Sequence, residues 1–129
     1  MMKRTHITIG LAATIPFIIQ QPISILGIIG SVAPDWDIRI GLPHRTVTHS
    51  LIALVTSTLL ISMFNTEVGN VWFVNYILHL IADSFTKMGV PFLYPKKKRY
   101  GLKVWKTGGV EDYIIQIFVM ILIISYIIK

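Results

Sequence analysis

The sequence predicts an all-α integral membrane protein, a bundle of four to five transmembrane or re-entrant helices. Hydrophobic residues make up 53% of the chain and charged residues only 14%, whereas soluble domains carry about a quarter charged residues. Apolar segments recur along the chain and are separated by short polar or basic breaks. At 129 residues the chain has the length of one domain, so we expect residues 1–129 to form a single membrane-embedded unit.

The first two apolar segments lie close together. Residues 7–19 predict a helix that is kinked or thinned near Pro16. Gln20, Gln21 and Pro22 form a polar break, and residues 23–33 form a second apolar run that stops at Pro34. Each segment is shorter than the roughly 20 residues that a full span needs. The pair is therefore either a tight helical hairpin or a re-entrant pair, and both readings stay open. The Lys3-Arg4 start also resembles a signal peptide, but without a clear small-residue cleavage site we expect the segment to be retained.

Three longer helices follow. The third is predicted over residues 46–64, the fourth over 71–87 and the fifth over 110–128. Residues 65–70 form the polar break between the third and fourth helices, and the loop 87–106 is rich in lysine and arginine. With no cysteine in the chain, disulfides and thiolate metal sites are excluded.

The charges predict a topology and a partner. Twelve lysines and arginines against six acids give a net charge of +6. They cluster at the N-terminus, in residues 34–50 and in the loop 87–106, which the positive-inside rule assigns to the cytoplasm if every apolar run crosses. The basic run 96–99 is expected to bind anionic lipid headgroups of the bilayer. Nucleic acid is a poor fit, because the chain lacks stacking aromatic residues at suitable spacing.

Histidines and carboxylates gather at one side of this predicted topology. Residues 34–50 contain two of the four histidines and two of the six acids. His79 and Asp83, four residues apart, share one face of the fourth helix. Such side chains bind divalent metals, and an apolar protein has no packing reason to collect them. We predict a metal site at the cytoplasmic boundary whose ligands are His6, Asp35, Asp37, His49, His79 and Asp83.

The fourth helix supports this prediction. Polar or amphipathic residues recur on it at steps of three and four, which predicts one polar face that avoids lipid. These residues are Trp72, Asn75, Tyr76, His79, Asp83 and Thr86. Simpler readings exist for single residues, since His79 alone fits an interhelical hydrogen bond, Asp35 fits a turn after Pro34, and His79 with Asp83 fits a proton relay.

The same residues resemble a known family, the YdjM-like, LexA-regulated inner-membrane proteins, which are described as metal-dependent hydrolases. The resemblance is carried by His6, by Pro34-Asp35-x-Asp37, by His44-Arg45-x-x-Thr48-His49-Ser50 and by His79-x-x-x-Asp83. It continues through Gly89-Val90, Leu93-Tyr94-Pro95, Gly108 and Glu111. The resemblance implies a helical protein of the bacterial cytoplasmic (inner) membrane with a hydrolase site, and it implies no particular substrate.

We therefore expect a membrane-bound, metal-dependent hydrolase acting on a phosphoester or a lipid-linked substrate at the cytoplasmic face. Histidine and carboxylate ligands suit Zn²⁺, with Mn²⁺ or Fe²⁺ as alternatives, and the ligand number suits one or two ions. Glu111 or His44 is expected to act as general acid or base, and Arg45 to bind a phosphate oxygen. The alternatives are a metal or proton transporter, and a non-catalytic membrane protein with a structural metal site.

Overall fold

The computed structural model describes residues 1–129 and contains helices without a β-strand. The α-helices are α1 (Lys3–Gln20), α2 (Leu51–Phe64), α3 (Thr66–Ser84) and α4 (Val110–Ile128). Three 3₁₀ segments, Pro22–Ser31, Ala33–Ile38 and Val47–His49, lie between α1 and α2. The all-helical prediction is confirmed.

Helix α3 lies at the centre of the bundle and packs against α1, α2 and the 3₁₀ helix Pro22–Ser31. All six residues predicted for its polar face are buried, and five of them lie on α3, whereas Thr86 follows two residues after the helix ends. The apolar core is small: Trp72 and Tyr76 of this face pack in it with Leu54 and Leu80. The centre of this bundle is therefore largely polar.

The two N-terminal segments form a close helical hairpin against α3. Helix α1 runs through Pro16 without interruption, and only Gln21 separates it from the 3₁₀ helix Pro22–Ser31. A Cβ atom at Gly30 would lie 2.6 Å from the carbonyl oxygen of Trp72, so only glycine allows this approach. At about 2.0 Å per residue the ten residues of the 3₁₀ limb extend about 20 Å, less than the ~30 Å of a bilayer core.

Helix α1 begins at Lys3, four residues earlier than predicted, and α3 ends at Ser84, three residues earlier than predicted. The starts of α2 and α3 also differ from the prediction, because local caps decide them. Helix α2 begins at Leu51, five residues later than expected, and the Ser50 side chain caps it by accepting from the Ala53 N–H. Helix α3 begins at Thr66, five residues earlier than expected, and Asn65 caps it by accepting from the Val68 N–H. The polar residues predicted as a break between helices are thus the first turn of α3.

One helix, α4, is long and apolar enough to cross a membrane by length and composition. Most of its surface is exposed, since only Asp112 and Ile123 are buried. Within the bundle it packs on α1. The structure thus supports one candidate span, and the predicted bundle of four to five spans stays a prediction.

The basic loop after α3 folds back on the end of that helix. The rings of Phe85 and Trp105 stack with centroids 4.8 Å apart, and the Lys87 N–H donates to the Trp105 carbonyl oxygen over 2.8 Å. Further along, Val90 and Tyr100 exchange two backbone hydrogen bonds of 2.9 and 2.8 Å. These pairings fix the segment 91–100 beside the start of α2.

Candidate metal centre

Four side chains from three parts of the chain meet at one buried point. Asp35, His49, His79 and Asp83 each offer one ligand atom, and these atoms all lie within 4.8 Å of one another. The Nε2 atoms of the two histidines are 3.3 Å apart. The His79 Nε2 atom lies 3.6 Å from a carboxylate oxygen of Asp35 and 3.6 Å from one of Asp83. This group of histidines and aspartates could hold a metal ion.

Local structure explains how these residues reach one another. His79 and Asp83 are four residues apart on α3 and therefore share a face. Asp35 follows Pro34 in the 3₁₀ segment Ala33–Ile38. His49 is the last residue of the 3₁₀ segment Val47–His49, directly before the residue that caps α2. The end of one helix and the turns beside two others thus supply the ligand atoms.

His6 reaches the same point from the first turns of α1. Its ring stacks on that of His79 with centroids 3.7 Å apart, and its Nε2 atom lies 3.2 Å from Oδ1 of Asp83. The residue is 2% exposed, and neither ring nitrogen forms a hydrogen bond. Buried polar atoms without a partner are costly, so an ion bound here would also satisfy His6. The residues present therefore fit a metal.

The hydrogen bonds of the histidines fix which nitrogen faces the centre. The Nδ1 atom of His79 lies 2.7 Å from the Ser31 carbonyl oxygen. A carbonyl oxygen only accepts, so Nδ1 carries the proton and the lone pair of Nε2 faces the centre. The Nδ1 atom of His49 lies 3.2 Å from the Thr48 hydroxyl and 3.5 Å from Oδ2 of Asp37. Such outer partners orient metal-binding histidines.

Asp37 belongs to a second group, formed with His44 and His49. Its carboxylate is fully buried and accepts hydrogen bonds from the backbone N–H of Ile38 (2.7 Å) and of Arg45 (2.9 Å). The Thr48 hydroxyl also donates to it, over 3.1 Å, and Nδ1 of His44 lies 3.0 Å away. Because donors surround both oxygens, Asp37 holds the loop and His49 in place. The His44 side chain is 33% exposed.

Arg45 links the centre to its surroundings. Its backbone is in the left-handed region, with φ of 56°, which costs energy for a residue other than glycine. One terminal nitrogen lies 2.9 Å from Oδ1 of Asp83, and the other donates to the Thr86 hydroxyl over 2.7 Å. The same Asp83 oxygen contacts the Met1 amino group. A bidentate contact between Arg45 and a phosphate therefore requires the guanidinium to exchange a partner.

The electrostatics of the loop residues favour charged carboxylates. Burial raises the pKa of the Asp35 carboxyl, but the polar contact with His49 and the field of His79 outweigh it and lower that pKa to about 2. Burial also raises the pKa of the Asp37 carboxyl, but the contact with His44 and the hydrogen bond from the Arg45 N–H outweigh it and lower that pKa. Burial lowers the pKa of His49, but contacts with Asp35 and Asp83 raise it above its ordinary value. Ionised aspartates are the form that binds a cation.

Helix α4 carries a buried acid, Asp112, that was not among the residues predicted from the sequence. Asp112 is 2% exposed and accepts hydrogen bonds from the Thr5 hydroxyl (2.6 Å), the Met2 N–H (3.1 Å) and the Gly108 N–H (2.6 Å). It stands three residues after Gly109, which precedes α4, and an acid at that position is a recognised helix-start signal. Glu111, the adjacent residue that was predicted as a general acid or base, is partly exposed. It forms neither a hydrogen bond nor an ion pair with the candidate metal ligands.

Comparison with known proteins agrees with the resemblance noted from the motifs. The family model described as YdjM inner membrane protein matches residues 1–129, so the chain belongs to that family. Proteins named inner membrane protein YdjM, from Escherichia coli (strain K12) and Shigella flexneri, are each 34% identical to it over 47% of this chain and 35% of their own length. The match thus spans about a third of the length of these curated relatives. No solved structure matches the chain.

Proposed function

We propose that this member of the YdjM inner membrane family is a metal-dependent hydrolase that cleaves a phosphoester at the cytoplasmic face of the membrane. The observation that carries the proposal is the convergence of four buried ligand atoms, from Asp35, His49, His79 and Asp83, on one point. We further propose a multi-pass arrangement with the N-terminus and the loop 87–106 in the cytoplasm, because lysine and arginine concentrate there.

The chain supplies a suitable ligand set for one divalent ion. Asp35, His49, His79 and Asp83 would hold it, with His6 alongside, and mixed imidazole and carboxylate ligands favour Zn²⁺ over the alternatives Mn²⁺ and Fe²⁺. When bound, the ion would supply Lewis acidity and a water of lowered pKa. A second ion, if present, would use the group Asp37, His44 and His49.

The residues around the centre have separable roles in this proposal. The Ser31 carbonyl orients His79, and Asp37 with Thr48 orients His49. His44 is the histidine of these groups with a partly exposed ring, which suits a group that exchanges a proton with solvent. Glu111 is the second candidate for that proton transfer. Arg45 holds Asp83 and places a positive charge at the edge of the centre.

The test combines metal content with turnover in one preparation. Protein purified in detergent is loaded with Zn²⁺, Mn²⁺ or Fe²⁺, its metal is measured by mass spectrometry, and hydrolysis of phosphate mono- and diesters is assayed. We expect turnover to depend on the bound metal. His49→Ala should lose both the metal and turnover, whereas Glu111→Gln should keep the metal. Stoichiometric metal without turnover of any phosphoester would indicate a structural site. Metal or proton flux in proteoliposomes would indicate the transporter instead.

A further inference from the structure

A basic cavity lies next to the metal centre. It has a volume of about 450 Å³ and is lined by Arg45, Lys97 and Arg99, with Thr46, Tyr94 and two prolines. Three of its seven lining residues are cationic, and none is acidic. Two further lining residues, Thr46 and Tyr94, carry hydroxyl groups. We call this space the basic cavity, and its chemistry suits a phosphate or another compact anion.

An apolar groove of about 520 Å³ is lined in part by the same segment 91–100. Its six lining residues are all hydrophobic: Leu51, Ile77, Ile81, Phe92, Leu93 and Tyr100. They come from the start of α2, the second half of α3 and the segment 91–100. Leu93 is 48% exposed and Ile81 is 44% exposed, so the groove is open to its surroundings. Its chemistry suits an acyl chain.

The segment 91–100 contributes lining residues to both spaces. Its residues Tyr94, Lys97 and Arg99 line the basic cavity, whereas Phe92, Leu93 and Tyr100 line the apolar groove. The backbone pair between Val90 and Tyr100 closes the segment, and the Leu51 N–H donates to the Phe92 carbonyl oxygen over 3.0 Å. The two spaces are thus held in a fixed relation to each other and to α2.

Arg45 joins the basic cavity to the metal centre. It lines the cavity, and its guanidinium lies 2.9 Å from Oδ1 of Asp83. The residue is 2% exposed, and its Nε atom has no hydrogen-bond partner. Its positive charge adds to those of Lys97 and Arg99 on the wall of the cavity and attracts an anion there. The cavity therefore suits an anion, and Arg45 alone connects it to the candidate ligand Asp83.

We infer that the segment 91–100 binds an anionic lipid phosphate, with the phosphate in the basic cavity and an acyl chain in the apolar groove. Charge complementarity selects the phosphate, and the adjoining apolar groove selects a lipid over a soluble phosphate. The part of this inference that makes the bound lipid the substrate rests on the proposed function. The binding itself requires no metal.

The experiment measures binding under conditions where hydrolysis is off. Protein in detergent micelles with a chelator is titrated with dioctanoyl phosphatidic acid, with glycerol 3-phosphate and with dioctanoylglycerol, and bound molecules are counted by native mass spectrometry. We expect the phosphatidic acid to bind more tightly than either half-molecule. Lys97→Gln should weaken it about fivefold, the effect of one basic residue near an anionic lipid. Lys96→Gln, which removes the same charge outside the cavity, should have a smaller effect.

A second matched pair tests the groove. Leu93 lines it, whereas Leu102 is 68% exposed and lines neither space, so Leu93→Ser should weaken binding of the phosphatidic acid and Leu102→Ser should not. Equal effects of Lys97→Gln and Lys96→Gln would overturn the inference, as would equal binding of glycerol 3-phosphate. A protein that binds the lipid but never hydrolyses a phosphoester would contradict only the proposed function. A protein that hydrolyses soluble phosphoesters and fails these binding tests would contradict only this inference.

Discussion

Helices α3 and α4 are both 19 residues long, yet the fold uses them in opposite ways. Ten residues of α3 are buried, including both of its candidate ligands, whereas two residues of α4 are buried. Helix α4 is the candidate membrane span by length and composition. In this protein high hydropathy marks the helix with least contact to the rest of the chain, and interrupted hydropathy marks the helix that carries the site.

The physical reason lies in what each helix surface needs. The buried polar groups of α3 need partners, and the bundle supplies them: the Asn75 amide donates to the Thr14 hydroxyl over 2.9 Å, and the Trp72 indole donates to the Ser57 hydroxyl over 3.0 Å. An apolar helix surface needs no such partner in lipid, which is consistent with α4 being the candidate membrane span. One end of α4 is nevertheless tied to the start of α1 through Asp112.

The largest effect is expected from α3. His79→Gln removes an imidazole whose Nε2 atom faces the centre, so metal affinity should fall by more than the roughly 10- to 100-fold that the loss of an outer partner causes. Ile117→Ala on α4, where the side chain is 63% exposed, should leave the metal in place. Metal content by mass spectrometry, with circular dichroism as the folding check, decides the outcome. Full metal content in His79→Gln would show that His79 is not a ligand.

A smaller effect is expected from the loop residue that supports the histidines. Asp37→Asn keeps the shape of the side chain but weakens its bonds to the surrounding donors, so metal affinity should fall about 10- to 100-fold. Competition with a chromophoric chelator measures this change. Glu67→Gln removes one negative charge from the first turn of α3 and should have no effect. Complete metal loss in Asp37→Asn would instead make Asp37 a direct ligand.

Helix α4 should respond in stability and not in metal binding. Asp112→Asn weakens three hydrogen bonds to a buried carboxylate, which should cost about 1–3 kcal/mol of unfolding free energy. A lower melting temperature in detergent, with unchanged metal content, is the expected result. Its neighbour Glu111 makes none of these bonds, so Glu111→Gln should melt like the wild type. Loss of metal in Asp112→Asn would show that α4 helps to build the centre.

Much of the site follows from the sequence because its signals are local. The four-residue spacing of His79 and Asp83 puts them on one face of any helix, and polar residues cannot face lipid, so this face had to be buried. The start of α2 after Ser50 could not be predicted from the sequence, since the motif from His44 to Ser50 is equally compatible with a helix that begins at Thr46. The left-handed turn at Arg45 and the 3₁₀ geometry around His49 displace α2 by five residues from the prediction.

The sequence by itself determined that this chain is helical, apolar and supplied with histidines and aspartates at one end of its helices. Only the tertiary structure decided that Asp35, His49, His79 and Asp83 share one point, that Asp37 supports His49, and that Asp112 rather than Glu111 is buried. Helical periodicity fixes the face on which a side chain lies. The partner of that face depends on contacts between residues distant in sequence, such as the close approach of Gly30 to Trp72 that brings the Ser31 carbonyl to His79.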